Sequence, residues 1–393
     1  MRIAEITAFH VRIPLRKTIR HALYTRTTTD SLIVHCRLHN GIEGWGEGLP
    51  RPYVTGETIE SAFEQLRMID LESRLGATFD DLGGAIQLCD ALQVDTSNRN
   101  GRDCFGNSVR CALELSVLDA AACAMGTPLS SVTAALPEAV SIRQSSQQVR
   151  YGAAITSMSP LKQAVRAWQI RAYGFQQCKV KVGVSGIDDV AALKRIRHVV
   201  GQQVDIRIDV NGAWTCDNLE AKLEPLLPFG LTCIEQPVTH EQVDGLTAIR
   251  SRIETPIMLD ESLCSLSDAH RAVERGTCDL FNIRLSKCGG LLNSLKIAAF
   301  AHQSKLAYQL GCQVGETGIL SAAGRHFATS VGNIRYLEGS YDRFLVKERL
   351  TVQDLTFRRG GCAPALTTPG LGVDVDLQAL ARVAINKEHW TFK

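Results

Sequence analysis

Five stretches decide the fold: QQCKVKVGV (176–184), DIRIDVNGAW (205–214), TCIEQPV (232–238), PIMLDES (256–262) and LFNIRLSKCGG (280–290). Each is a short apolar run that ends in charged or polar residues, and a helix-like stretch separates each from the next. Extended in both directions, the pattern gives run ends at Ile155, Lys181, Asp209, Glu235, Asp260, Lys287, Cys312 and Glu338, with successive steps of 26, 28, 26, 25, 27, 25 and 26 residues. A strand, a helix and two short loops need about that many residues. Eight parallel strands joined by seven crossover helices close into an α/β barrel of the modified TIM type, (β/α)7β. An open doubly wound sheet would carry a G-x-G-x-x-G loop after its first strand, and TSMSPL (156–161) is not one.

The residues before the barrel follow a different rhythm. Ile3–Leu15, Asp30–Leu38 and Glu43–Gly48 read as strands, with a hairpin turn at His39-Asn40-Gly41. Residues 57–72, 80–93 and 106–125 read as helices. Strands followed by segregated helices predict an α+β capping domain over 1–130, a barrel over 150–350, and a tail over 351–393 that returns to the cap.

Composition narrows the function. The 393 residues are 45% hydrophobic and 21% charged, with 43 basic against 41 acidic side chains. So even a balance, with no basic stripe, predicts no nucleic-acid partner. No apolar run approaches the length that spans a bilayer, so no membrane association is expected. Arg2 and Glu5 fall where a secretory leader needs its apolar core. The thirteen cysteines are odd in number and never spaced C-x-x-C. They read as buried thiols of a cytoplasmic enzyme, one expected to be a homo-oligomer.

In a barrel, chemistry sits at the C-terminal ends of the strands. Residues at i and i+2 share a strand face, so Lys179 points with Lys181, and Asp209 with Asn211. Three neighbouring strands deliver Asp209, Glu235 and Asp260. A lone acid at a strand end is ordinarily a solvated loop residue or a helix cap. Three acids on adjacent strands cannot all stay ionised without a cation, and hard oxygen donors suit Mg²⁺. Lys181 and Lys287 flank them. On alternation, Asn282 and Arg284 share one face and Lys287 the other, so Lys287 reaches the site only if its strand has ended or bulged by then.

The ordered set K-x-K (179–181), D-x-N (209–211), I-E-Q-P (234–237), L-D-E-S (259–262) and S-K-C-G-G (286–290) resembles the enolase superfamily, and within it the muconate-lactonizing-enzyme subgroup. The resemblance extends to G-W-G-E (44–47), T-G-E-T (55–58) and G-L-G-V (370–373). It implies Mg²⁺ on Asp209, Glu235 and Asp260, with Lys181 and Lys287 as acid/base pair on opposite faces of a carboxylate substrate. It further implies substrate contacts from Lys179, Asn211, Glu316, Glu338 and Tyr53, the last in one of two lids, 19–30 and 50–58. Mandelate-racemase-like relatives carry a His on strand seven, where this chain has Cys312, Gln313 and Glu316. Enolase proper lacks the K-x-K. Dipeptide epimerases carry Asp-x-Asp on strand eight, where this chain has only Glu338. The expectation is a racemase or epimerase of an amino-acid derivative or dipeptide. The alternatives are a lyase or cycloisomerase on the same scaffold and, in another class, a Schiff-base aldolase.

Overall fold

The computed structural model describes residues 1–20, 25–94, 102–156 and 158–393. Strand β1 (Ile3–Arg20) pairs antiparallel with β2 (Thr25–Leu38), which pairs with β3 (Glu43–Gly48). Along β1 the buried positions change from Ile6 and Ala8 to Val11 and Ile13, because the register against the C-terminal strand slips between His10 and Val11. That slip is why the alternation in this stretch is loose. Helices α1 (Ile59–Met68), α2 (Leu71–Leu75), α3 (Leu82–Asp90) and α4 (Asn107–Ala124) follow. The helix expected over 57–72 is two helices. Ile69 turns extended, and the Asp70 side chain then caps the new start by accepting the Ser73 N–H.

Alternate residues of β3 are Gly44, Gly46 and Gly48, and helix α4 lies directly on them. A Cβ on Gly46 would sit 2.0 Å from the Ala112 carbonyl oxygen, and one on Gly48 would sit 1.9 Å from that of Ser108. The glycines are there for close approach of strand to helix.

A short strand β4 (Gln148–Arg150) leads into the barrel strands: β5 (Ala153–Ile155), β6 (Gln177–Lys181), β7 (Asp205–Asp209), β8 (Leu231–Glu235), β9 (Ile257–Leu259), β10 (Leu280–Ile283), β11 (Ala307–Leu310) and β12 (Ile334–Leu337). All pair in parallel and in sequence order. The Gly152 N–H donates to the Leu337 carbonyl at 2.8 Å, bridging the first strand to the last. Seven helical crossovers join the eight strands, and a four-residue helix, Asp342–Leu345, stands where an eighth would begin. The strands stop earlier than the polar residues suggest. Asp260 and Glu338 lie one residue beyond their strands, Cys312 two, and Lys287 four. In the closing segment, β13 (Cys362–Pro364) pairs with β4, and β14 (Ala384–Thr391) pairs with β1 to complete the cap sheet.

Five anchors seat the cap on the loops that follow the barrel strands. The Arg51 guanidinium donates to the Val314 carbonyl at 3.0 Å, and the Leu49 N–H to the Ser286 hydroxyl at 2.8 Å. Arg102 reaches the Glu261 carbonyl, and the Asn107 amide bonds the carbonyls of Cys264 and Lys287. The fully buried Glu47 carboxylate accepts the N–H groups of Thr317 and Leu320, both at 3.0 Å, and the Thr317 hydroxyl at 2.7 Å. It thereby fastens β3 to the positive N-terminus of helix Gly318–Ser330. Glu47→Ala would strand three donors and should destabilise the protein by about 3 kcal/mol or more, since hydrogen bonds to charged groups contribute about 1.5–3 kcal/mol each. Urea unfolding measures this. A loss below about 0.5 kcal/mol would mean that the contact does not hold the two parts together.

Candidate active site

The register of the parallel strands builds the site. Lys181 pairs with Asp209, and Asp209 with Glu235, so the three side chains leave neighbouring strands at one level. Asp260 follows on the next strand. All three acids are buried. Burial, with Asp209, Glu338 and Asp260 close by, pushes the Glu235 carboxyl up to about 8 despite the opposing pull of Lys179.

Cations from the chain sit among these acids. The Lys179 ammonium lies 3.5 Å from Asp209, 3.2 Å from Glu235 and 2.8 Å from Glu338. Burial alone would lower its pKa, but those carboxylates raise it well above the ordinary value. The Arg207 guanidinium meets Glu338 at 2.5 Å. Burial would raise the Glu338 carboxyl, yet Lys179 and Arg207 hold it down to about 2. Glu338 is therefore already neutralised by two cations, unlike the free acid that would receive a substrate ammonium.

Lys181 is different. Among the described residues its ammonium has no hydrogen-bond or ion-pair partner. Burial pushes its pKa below the ordinary lysine value, Lys179 adds to the effect, and Asp209 opposes it. An unpaired lysine that deprotonates readily is the kind of group that accepts a proton.

The structure departs from the sequence reading at Lys287. Strand β10 ends at Ile283, and the chain turns back, with the Cys288 N–H bonded to the Arg284 carbonyl. The Lys287 ammonium is fully buried and donates to the Asp260 carbonyl at 2.6 Å, Asp260 Oδ1 at 3.0 Å and the Asn282 carbonyl at 2.8 Å. It is spent on fixing Asp260 and the end of β10. Arg284 takes the inward position, with its guanidinium hydrogen-bonded to Asp260 and 3.7 Å from Glu235.

The remaining predicted residues are placed as follows. Asn211, at φ +47°, donates its amide to Glu261 at 3.0 Å. Glu316 and Glu338 line one cleft with Leu285, Cys312 and Ser340. Burial pushes the Glu316 carboxyl up to about 8. Tyr53, in the loop 50–58, packs with Val54, Cys104 and Cys264 beneath the Arg26 guanidinium. Of the other lid segment, 19–30, residues 21–24 lie outside the described residues. Four residues that the sequence reading gave no role belong to the site, although it put Asn282 and Arg284 on one face and Gln236 in a motif; only Arg207 went unmentioned. Asn282 donates to Glu235 at 2.9 Å. Gln236 accepts the Asp260 N–H at 2.8 Å and bonds Ser262. Arg207 and Arg284 are the buried cations. Alternation back from Asp209 was the available signal for Arg207, as alternation from Asn282 already was for Arg284.

No three His, Cys, Asp or Glu side chains among the described residues converge on one point as the side chains stand, because Lys179 and Arg284 lie between them. The donor set still suits a divalent cation. It is all carboxylate oxygen, and buried Glu235 Oε2 has no hydrogen-bond partner.

Residues 161–379 match the family model described as enolase C-terminal domain-like. The chain is 29% identical over 334 residues to the hydrophobic dipeptide epimerase of Enterococcus faecalis, covering 85% of this chain and 89% of that one. It superposes on the crystal structure of N-succinyl Arg/Lys racemase from Bacillus cereus with a TM-score of 0.87 at 25% identity, covering 99% and 100% of the two chains. It also superposes on a dipeptide epimerase from Cytophaga hutchinsonii complexed with Mg and D-Ala-L-Val, with a TM-score of 0.84 at 25% identity and the same coverage. Eight ordered parallel strands, a cap seated on the loops that follow them and a match across more than half its length place this chain in the enolase C-terminal domain-like family.

Proposed function

We propose that the protein is a Mg²⁺-dependent racemase or epimerase that removes the α-proton of a small carboxylate, an amino-acid derivative or dipeptide. The observation that carries this is the set of three buried acids on adjacent strand ends beside one unpartnered lysine, Lys181. The epimerases and racemase it resembles, one of them solved with Mg and a dipeptide, support it.

Asp209, Glu235 and Asp260 would hold Mg²⁺, which when bound supplies positive charge where the substrate carboxylate gains negative charge. Lys181 takes the α-proton. Lys179 stays protonated and gives a second positive charge beside the carboxylate. With Glu338 already matched by Lys179 and Arg207, substrates whose amino group is acylated fit this site better than free dipeptides, whose ammonium would break one of those pairs. The enzyme is read as cytoplasmic, acting on a small molecule and not on nucleic acid. It is also read as a homo-oligomer, a reading supported by exposed Leu161, Val165 and Trp168 along one helix. A lyase or cycloisomerase using Lys181 alone is the second reading, favoured by the saturation of Lys287.

Two outcomes test this. Asp209→Asn, Glu235→Gln and Asp260→Asn should each weaken Mg²⁺ binding by on the order of 100-fold, since even partners outside the coordination shell are worth about 10–100-fold. Calorimetric titration reads this, with circular dichroism to verify folding, and unchanged affinity in all three would remove the metal assignment. In a panel read by deuterium uptake in D₂O, N-acylated amino acids should exceed free dipeptides in kcat/KM by about tenfold, the equivalent of about 1.4 kcal/mol. A preference for dipeptides would mean that Glu338 does receive an ammonium.

A further inference from the structure

We propose that Arg284, not Lys287, faces the substrate opposite Lys181, so that the two faces are served by unlike groups, a lysine and an arginine. Three observations carry this. First, Lys287 has three N–H groups and three acceptors, two of them backbone carbonyls, and no exposed surface. Turning it into the barrel would take a donor from the Asp260 carbonyl, Asp260 Oδ1 and the Asn282 carbonyl at once, leaving the first with the Leu263 N–H. It is a positioning residue for Asp260, held in turn by the cap, whose Asn107 amide bonds the Lys287 carbonyl at 2.7 Å. Second, Arg284 lies two residues beyond Asn282, whose amide reaches Glu235 inside the barrel. The Arg284 guanidinium bonds Asp260 and lies 3.7 Å from the same Glu235, so both side chains point inward. Third, β6 is the second strand and β10 the sixth of eight, so Lys181 and Arg284 stand on opposite sides of the barrel.

The consequence rests on the racemase reading. Lys181 Nζ takes the α-proton from one face. The C–H bond breaks, and its electron pair passes into the carboxylate to give an enediolate. Inversion requires a guanidinium N–H of Arg284 to break and its proton to reach the α-carbon from the other face, the nitrogen keeping the pair. Water then restores the guanidinium and takes the proton from Lys181, so no other reactant is needed. A guanidinium holds its protons far more tightly than an ammonium does. Return of a proton by Lys181 is then the faster path. The stereoisomer whose α-proton faces Lys181 exchanges with solvent many times for each inversion, while its mirror image exchanges only as it inverts.

The test follows one interconverting stereoisomer pair of an N-acylated amino acid in D₂O with the Mg²⁺-loaded enzyme. Deuterium at the α-carbon is read by NMR and inversion by chiral chromatography. The wild type should show exchange at least about tenfold faster than inversion for one isomer and a ratio near one for the other, a tenfold difference being about 1.4 kcal/mol in barrier. Arg284→Met should stop inversion while the Lys181-facing isomer still exchanges. Arg284→Lys should bring both ratios toward one. Lys287→Met should lower exchange and inversion together and leave their ratio as in the wild type. Inversion that survives Arg284→Met, or wild-type ratios near one for both isomers, would overturn the assignment of Arg284. Unsaturated or cyclised product in place of inversion would overturn the racemase reading instead, and Arg284→Met would then still separate the two residues by its effect on product formation.

Discussion

Asp209 and Glu235 are set side by side by strand register and Asp260 follows just past the next strand, and the rest of the site answers the repulsion among these buried acids. In water, two carboxylates a few ångströms apart repel by about 1 kcal/mol, and burial multiplies the cost several-fold. The chain compensates with its own cations. Lys179 lies among Asp209, Glu235 and Glu338, and Arg207 backs Glu338. Arg284 and Lys287 both hold Asp260. Polar groups without charge complete the arrangement, with Asn282 on Glu235 and Gln236 on the Asp260 backbone. Beside these paired basic groups, Lys181 has no hydrogen-bond or ion-pair partner among the described residues, and on that the proposed role of Lys181 as base rests.

The cap depends on the same loops. Leu49, Arg51, Arg102 and Asn107 all bond groups that follow barrel strands, and Asn107 bonds Lys287 itself. Seating of the cap and placement of Asp260 are thus mechanically linked through one turn, Arg284–Cys288. The glycines of β3 serve that seating by letting α4 lie flat on the sheet, so that Asn107 at its start reaches the turn.

The barrel was legible because its strands repeat at nearly constant spacing, and Lys181, Asp209 and Glu235 because each closes an apolar run. Asp260 was legible for the same reason, one residue past its strand. The direction of the Lys287 side chain was not legible, because periodicity holds only inside a strand. Once β10 stopped at Ile283, a turn that no alternation describes sent its side chain back toward the Asp260 backbone. Arg207 was overlooked because an arginine within an apolar strand looks like a surface residue, and Arg284, put on the face of Asn282 by alternation, was given no role because only its pairing partners reveal that it faces inward. Glu338 was identified as a site acid, but its neutralisation depends on Arg207, 131 positions away in sequence. The split of 57–72 into two helices rests on a single cap at Asp70, a contact too local for an apolar pattern to carry.

The proposed function depends on the three acids being assembled for a divalent cation. Crystals grown with Mn²⁺, which takes the same hard oxygen donors and scatters anomalously, test it most directly. One anomalous peak is expected at about 2.2 Å from an oxygen of each of Asp209, Glu235 and Asp260, close to the spacing of such ions to oxygen. The Arg284 guanidinium is also expected to be drawn away from Asp260. A map with no peak there, and with Arg284 still bonded to Asp260 at saturating Mn²⁺, would contradict the metal assignment.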